Sequence, residues 1–451
     1  MRHSKPLLSA ALVALCAGQV HAQSAFGCGD LGLTSNEYIE GQDGVFFRIF
    51  ADLRLQHPLD DQVVDQLARL ADKLEENGTT LVYVTIPSKS QVLPELLPPL
   101  ASDYGFDLAT AEYVYDDITG RLNAAGIMAP DIMRALRQGD GTSDELPFFR
   151  ADFHWSSEGA RRAAQAIGAA IRANPAAADI PVTAFESIPQ GVEVAFSGMR
   201  RNIQSYCKLP LPSVTSMAWK TQAGVDADAP LDIFAAAPEA PAAGGLDIFG
   251  GASTTPAVLI GTSFSDSAIN NFAGWLSQYA QMEVLNYSIT GGNQFGAITS
   301  YLTSADYEAQ RPTFLIWENP IYNNIGQFGP QAMEELIAAV GTDCTTPLPV
   351  TAQGSQVTAS LDGLRLNAGD ALMVDFGAEG ARRAEFVLTT ASGIKRHALI
   401  ERGDRLRATG RFWLSMGPFA MSDLASVEVT FDREVTSQPS LNVCFENGDS
   451  L

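Results

Sequence analysis

The sequence predicts an α/β domain, with a mostly parallel sheet flanked by helices, followed by an all-β sandwich domain. Three observations carry that expectation. Strand-like apolar runs alternate with amphipathic helical runs as far as Gly341, as in a parallel sheet covered by helices. Beyond Cys344 the runs turn short and rich in Val, Thr and Phe, and Gly or Asp separates them, as in a sandwich. Cys344 and Cys444 bracket this last stretch as if stapling it shut.

The chain starts "MRHSKPLLSAALVALCAGQVHAQS". Arg2 and Lys5 precede an apolar run, Leu7 to Ala17, that is too short to span a bilayer. Val20-His21-Ala22 fits a small-x-small cleavage site, so residues 1–22 read as a secretory signal peptide. Leu15 before Cys16 is too large for the usual lipid-attachment box. The expectation is cleavage after Ala22 and a soluble, periplasmic protein, with no later transmembrane helix. About 430 residues would remain, divided into an α/β domain over 23–343 and a β domain over 344–451. The formal charge is −23, and losing Arg2 and Lys5 makes it more negative still. Such a charge argues against nucleic acid as a partner. Cys28, Cys207, Cys344 and Cys444 survive cleavage. An even number in an exported chain suggests two disulfides, with three possible pairings. The spacing favours Cys344 with Cys444, which leaves Cys28 for Cys207. None of the four shows metal-site spacing, and neither a metal nor a cofactor is expected.

In order along the chain, "QVVDQLARLADKLEEN" (62–77) places Val63, Leu67, Leu70 and Leu74 on one helical face, and Gly78 is a stop. "TTLVYVTIP" is a buried strand, and "YDDITGRLNAAGI" a second helix. "SSEGARRAAQAIGAAIRANP" is a third, capped by Ser156, with Glu158 in the positive first turn. Residues 223–256 are Ala/Pro/Gly-rich and acidic, a mobile loop or insertion. "AVLIGTSFSDSAINNFAGWL" is a strand, a turn and a helix. "MEVLNYSI" and "RPTFLIWENP" are further strands, and "PQAMEELIAAVG" is the last clear helix. The sandwich pattern follows in "VTASLDGLRL", "ALMVDFGA", "AEFVLTTASG", "FWLSMG" and "ASVEVTFD".

Few residues could do chemistry. Ser263 ends a buried strand and opens a helix, at the edge where open α/β sheets bind ligands. The bland alternative is that Ser263 or Ser265 caps that helix. A serine needs a base to take its proton. His154 is one of few histidines, and Asp152 lies two residues before it. In an extended segment those side chains share a side, so the carboxylate could hold Nδ1–H and leave Nε2 for the serine. The alternative is a surface histidine beside a solvated acid. The Ser263 N–H and the turn Gly291-Gly292-Asn293 could stabilise an oxyanion, although the tripeptide also reads as an ordinary turn. Between Lys395 and Arg411 lie Lys395, Arg396, Arg402, Arg405, Arg407 and Arg411, against only Glu401 and Asp404. With Trp413 this run could grip an acidic sugar polymer, or it is a solvated strand face. Arg200 and Arg201 could line the cleft or be surface charge.

Four blocks of the chain resemble the alginate O-acetyltransferase AlgX/AlgJ family. "VTIPSKSQVLPELLP" resembles its strand-Pro-Ser/Thr-Lys block, and "FFRADFHWSSEGARRAA" its Asp-x-His-Trp block. "AVLIGTSFSDSAINNFAGWL" resembles its Gly-x-Ser block, and "LIWENP" its Trp-Glu-x-Pro block. The order is specific, because ordinary SGNH enzymes place the serine first and the Asp/His pair last. The resemblance implies an SGNH-hydrolase-like fold with Ser263 as nucleophile, His154 as general base and Asp152 as its orienter. It also implies a C-terminal carbohydrate-binding module, as in the long AlgX-type form, and the pairs Cys28–Cys207 and Cys344–Cys444. The 223–256 insertion has no counterpart in that pattern.

The expected function is therefore O-acetylation of an acidic exopolysaccharide through an acetyl-enzyme, within an export or modification complex whose partner could supply the acetyl donor. An acetylesterase would use the same residues with water as acceptor. A non-catalytic polymer-binding scaffold would keep the basic module and not need the triad.

Overall fold

The computed structural model describes residues 24–29, 31, 37–54, 57, 59–224, 255–377, 380–420, 423–435 and 438–446. The expected signal peptide and all but the ends of the 223–256 insertion lie outside them.

Four strands form the first sheet, in the spatial order Thr80–Ile86, Phe314–Pro320, Ala257–Ile260, Val284–Asn286, and every pairing is parallel. Each residue after Thr80 in the first strand is buried, as expected of a strand covered on both faces. Side chains alternate along a strand. Val82, Val84, Ile86, Leu259, Phe314 and Ile316 therefore fall on one face, packed with Ala160, Ala164, Ile167 and Ile171 of helix Ser157–Ala173. Leu81, Tyr83, Val258, Ile260, Leu315 and Trp317 fall on the other. There they meet Leu67, Leu70 and Leu74 of helix Asp61–Glu76 and Leu336 of helix Gln331–Gly341. The Asp60 carboxylate starts Asp61–Glu76 by accepting from Val63 N–H at 2.9 Å. It satisfies a free donor at the positive end of the helix dipole. Because the strands are parallel, Ile86, Ile260 and Pro320 end at one edge of the sheet.

The C-terminal domain is a sandwich of two antiparallel sheets. One has five strands, in the order Val350–Gln353, Gln356–Ser360, Leu424–Phe431, Arg383–Thr390, Lys395–Glu401. The other has four, Arg411–Ser415, Ala371–Asp375, Ser440–Glu446, Thr342–Pro347. Val357, Leu372, Val374, Phe386, Phe412, Val429 and Val443 are among the inward residues of the shared core. The basic strand Lys395–Glu401 buries only Ala398 and Ile400, so it has little apolar signal to read. The antiparallel hairpin Phe185–Val194 with Thr215–Ala223 is missed by the sequence for the same reason, since none of the residues of its first strand is buried. Both disulfides, Cys28–Cys207 and Cys344–Cys444, are formed.

The two domains meet through helix Gln331–Gly341 and strand Arg411–Ser415. Trp413 packs with Ala338, Ala371 and Cys444. Beside it Arg402 and Glu335 make a bidentate pair, Nη1 to Oε2 at 2.9 Å and Nη2 to Oε1 at 2.5 Å, with each side chain 5% exposed. Removing one partner of such a pair leaves a buried charge alone, which costs about 3–5 kcal/mol. Arg402→Met is accordingly expected to lower the stability of the full chain by about 3–5 kcal/mol in denaturant unfolding. A loss below about 1 kcal/mol would show that the pair does not hold the domains.

Candidate active site

At the end of strand Ala257–Ile260 the chain turns through Gly261 and Thr262 into the short helix Ser263–Asp266. Thr262 Oγ1 caps that helix by accepting from Phe264 N–H at 3.3 Å, so neither Ser263 nor Ser265 is the cap. The neighbouring strand supplies Glu318, which is fully buried. Its carboxylate accepts from Thr262 N–H at 2.7 Å, Ser265 Oγ at 2.8 Å and Thr262 Oγ1 at 3.1 Å. A Cβ at position 261 would come within 2.4 Å of Glu318 Oε2 and 2.8 Å of Ser265 Oγ. Only glycine admits the carboxylate there, which is a physical reason for the Gly-x-Ser spacing.

Ser263 is half-buried, and its Oγ lies 2.7 Å from His154 Nε2. His154 Nδ1 lies 2.6 Å from Asp152 Oδ1. That same oxygen accepts the His154 backbone N–H at 2.8 Å. Asp152 and His154 thus meet in a tight Asx-type turn and not along an extended segment. The spacing of two is right, but the reason is a side chain that bonds its own backbone two residues on. Phe149 N–H to His154 O at 3.1 Å and Ser156 N–H to Pro147 O at 3.0 Å close the loop. Asp152 Oδ2 accepts from Ser197 Oγ at 2.5 Å. Burial pushes the Asp152 carboxyl up, but hydrogen bonds and charge from His154, with the Ser197 hydroxyl, outweigh it and hold it below its ordinary value. The carboxylate is therefore ionised and acts as an acceptor.

Aromatic rings wall the imidazole. The Phe153 ring lies 4.0 Å and the Phe264 ring 4.8 Å from it. Trp155 is fully buried and donates its indole N–H to Phe264 O at 2.8 Å. It fastens the histidine loop to the serine turn. Glu318, Ser197 and Trp155 escape a spacing argument because their partners lie far along the chain. The visible clue to Glu318 is an acid at the end of an otherwise apolar strand, "FLIWENP".

Burial raises the Glu318 carboxyl to about 7, although bonds from Thr262 and Ser265 pull it down. An acid raised from 4.5 to about 7 keeps its proton in the folded chain where the unfolded chain has lost it. Stability from this group therefore falls as pH rises from about 4.5 to about 7 and is flat above. Glu318→Gln keeps one oxygen for Thr262 N–H and does not titrate. Melting temperatures across this range are expected to slope less in Glu318→Gln than in wild type; identical slopes would contradict this.

The other residues singled out from sequence make contacts of their own. The Gly292 N–H is donated to Ile289 O at 3.0 Å, so it is not free for an oxyanion. Gly291, at φ +75°, lies against the Arg405 guanidinium, and Arg405 Nη1 donates to Thr290 O at 3.3 Å. This turn, with Asn293 at φ +55°, is a seat for the C-terminal domain. Arg402 and Trp413 are buried in the domain contact described above and present nothing to a polymer. Arg411 pairs with Glu308 at 2.6 Å and Asp375 at 2.9 Å, and Arg407 with Asp306 at 3.6 Å. Lys395 and Arg396 stand exposed on their strand. Arg200 is spent on Pro212 O and Leu211 O, at 2.7 and 2.8 Å. Arg201 lies over the Phe196 ring at 5.2 Å. Among the described residues there is no group of three or more His, Cys, Asp or Glu that could hold a metal. Nor is any helix among them long and apolar enough to cross a membrane.

The family model described as "SGNH hydrolase-like domain, acetyltransferase AlgX" matches residues 39–321. The chain belongs to this family. It is 29% identical to the alginate biosynthesis protein AlgX of Pseudomonas aeruginosa over 297 residues, covering 65% of this chain and 58% of that protein. To AlgX of Azotobacter vinelandii it is 29% identical over 345 residues, 70% of this chain and 66% of the relative. To the probable alginate O-acetylase AlgJ of Pseudomonas aeruginosa it is 28% identical over 288 residues, 60% and 67%. The chain thus spans little more than half the length of the first of these AlgX proteins. The solved structure of Pseudomonas aeruginosa AlgX superposes with a TM-score of 0.73 at 21% identity, over 94% of this chain and 97% of that one. The α/β domain and the antiparallel region after it share the AlgX fold.

Proposed function

We propose that this chain is a periplasmic O-acetyltransferase that moves acetyl groups onto hydroxyls of an acidic exopolysaccharide, alginate or alginate-like. The observation that carries the reading is the unbroken run from Ser263 Oγ to His154 Nε2 at 2.7 Å and from His154 Nδ1 to Asp152 Oδ1 at 2.6 Å. Ser263 Oγ attacks the carbonyl carbon of the acetyl donor while His154 Nε2 takes its proton. The imidazolium, steadied by the ionised Asp152, passes that proton to the departing donor group. A sugar hydroxyl then attacks the acetyl-Ser263 ester. His154 takes the hydroxyl proton and returns it to Ser263 Oγ as the ester breaks. The Ser263 N–H is the oxyanion donor in this reading.

The names of the relatives, alginate biosynthesis and alginate O-acetylase, support an alginate-type polymer. A chain of net charge −23 needs a local basic seat for a polyanion. The exposed Lys395 and Arg396 supply one on the C-terminal domain, with Arg405 and Arg407 at the domain junction, and arginine forks suit carboxylates. That domain then serves as the carbohydrate-binding module, and the donor comes from a partner in an export or modification complex.

The test combines purified protein, an activated acetyl ester and an acidic oligosaccharide, and reads the oligosaccharide by mass spectrometry. Acetylated oligosaccharide is the expected product. Release of free acetate alone, even at saturating oligosaccharide, would instead make the chain an esterase.

A further inference from the structure

Lys89 is a buried feature near the site that the steps above do not use. It follows strand Thr80–Ile86 in "TIPSKS" and opens the turn Lys89–Val92. Ser88 and Gln91 hold that turn in a capping box. The lysine side chain runs inward, and the residue is 1% exposed. Its Nζ donates to four main-chain carbonyls: Phe46 O at 2.9 Å, Phe149 O at 2.5 Å, Arg150 O at 3.0 Å and Asp152 O at 3.0 Å.

Three of these four oxygens belong to residues 149–152, the arm of the loop that ends in Asp152. The loop turns tightly enough to close Phe149 N–H on His154 O, and that turn aims its carbonyls inward at one point. Converging carbonyl dipoles repel each other, and a buried carbonyl left without a donor is costly; of the four, Arg150 O also accepts from Phe46 N–H at 2.8 Å. An ammonium has three N–H donors and a full positive charge, so one side chain can quiet all four, with at least one donor shared. An apolar residue would fill the same space at less desolvation cost. Burial pulls the Lys89 ammonium down from 10.5 to about 7, while four carbonyl acceptors favour its protonated form; the buried amine is explained by the loop it holds.

We propose that Lys89 is a positioning residue: its ammonium gathers the carbonyls of Phe149, Arg150 and Asp152, and so fixes the Asp152 carboxylate where His154 Nδ1 meets it. This rests on the Ser263–His154–Asp152 reading given above. It predicts an effect on chemistry without an effect on substrate binding, because Lys89 is buried behind the loop and touches no substrate.

The test uses the full mature chain with 4-nitrophenyl acetate as probe, in wild type, Lys89→Met, Lys89→Gln and Ser263→Ala. Lys89→Met is expected to melt cooperatively and keep its KM while kcat falls roughly 100-fold, the loss that small misplacements produce. The low-field proton resonance of the His154–Asp152 hydrogen bond should vanish or broaden with it. Lys89→Gln, which keeps a shorter donor, should fall between. Wild-type kcat with the resonance retained in Lys89→Met would overturn the proposal. Failure of both lysine variants to fold would overturn it too, since Lys89 would then be a core requirement and not a positioning residue. A Ser263→Ala protein as active as wild type would sink the triad reading instead. The resonance would still report whether Lys89 sets Asp152 against His154.

Discussion

Ser263→Ala should lower acetyl transfer by roughly 10⁶-fold, as loss of a triad serine does elsewhere. A hydroxyl is a poor nucleophile until a base accepts its proton, and in the proposed reaction that base is His154, whose Nε2 lies 2.7 Å away. With Oγ gone no acetyl-enzyme can form, and only catalysis from oxyanion donors and binding would remain. The fold should be unaffected. Thr262, and not Ser263, caps the turn, and Glu318 bonds Thr262 and Ser265. Stability within about 0.5 kcal/mol of wild type is expected. Steady-state kinetics beside a thermal melt would separate the two effects. Activity within tenfold of wild type would mean that another group attacks the donor.

Asp152→Asn should cost about 10⁴-fold in kcat with little change in KM. The carboxylate accepts three hydrogen bonds: two on Oδ1, from the His154 backbone and ring, and one on Oδ2, from Ser197. An amide can accept on one oxygen only. If that oxygen serves the His154 backbone and ring, the amide N–H₂ turns toward the Ser197 hydroxyl. If it flips, N–H₂ faces Nδ1 and forces the wrong tautomer, with the proton on Nε2. In either arrangement the full negative charge that steadies the imidazolium is gone. A loss below tenfold would show that His154 works without its acid.

Much of the architecture is legible because parallel strands buried on both faces are long apolar runs, and amphipathic helices show their period. "TLVYVTI" and "FLIWENP" could hardly be anything else, and Leu67, Leu70 and Leu74 declare their helix. Strands that bury little, such as Lys395–Glu401 and Phe185–Val194, declare nothing. At the site, Asp152 and His154 are readable because they are neighbours in sequence. Their union with Ser263 is not readable from spacing, and came from the order of the four blocks. Glu318 bonds Thr262 across 56 positions, and Lys89 bonds Asp152 across 63. Contacts that distant leave no periodic trace. The basic run from Lys395 to Arg411 teaches the converse lesson. Charge density alone did not distinguish an arginine aimed at a ligand from Arg402, which is turned inward on Glu335 to join two domains.

In the proposed reaction acetyl passes through Ser263. The most direct measurement is rapid-quench mass spectrometry of the protein after mixing with an activated acetyl ester, followed by peptide mapping. One acetyl group on the peptide containing Ser263, absent in Ser263→Ala and discharged by added acidic oligosaccharide, is the predicted result. Turnover with the acetyl on a different residue, or with no acetyl on the protein at any time, would contradict it.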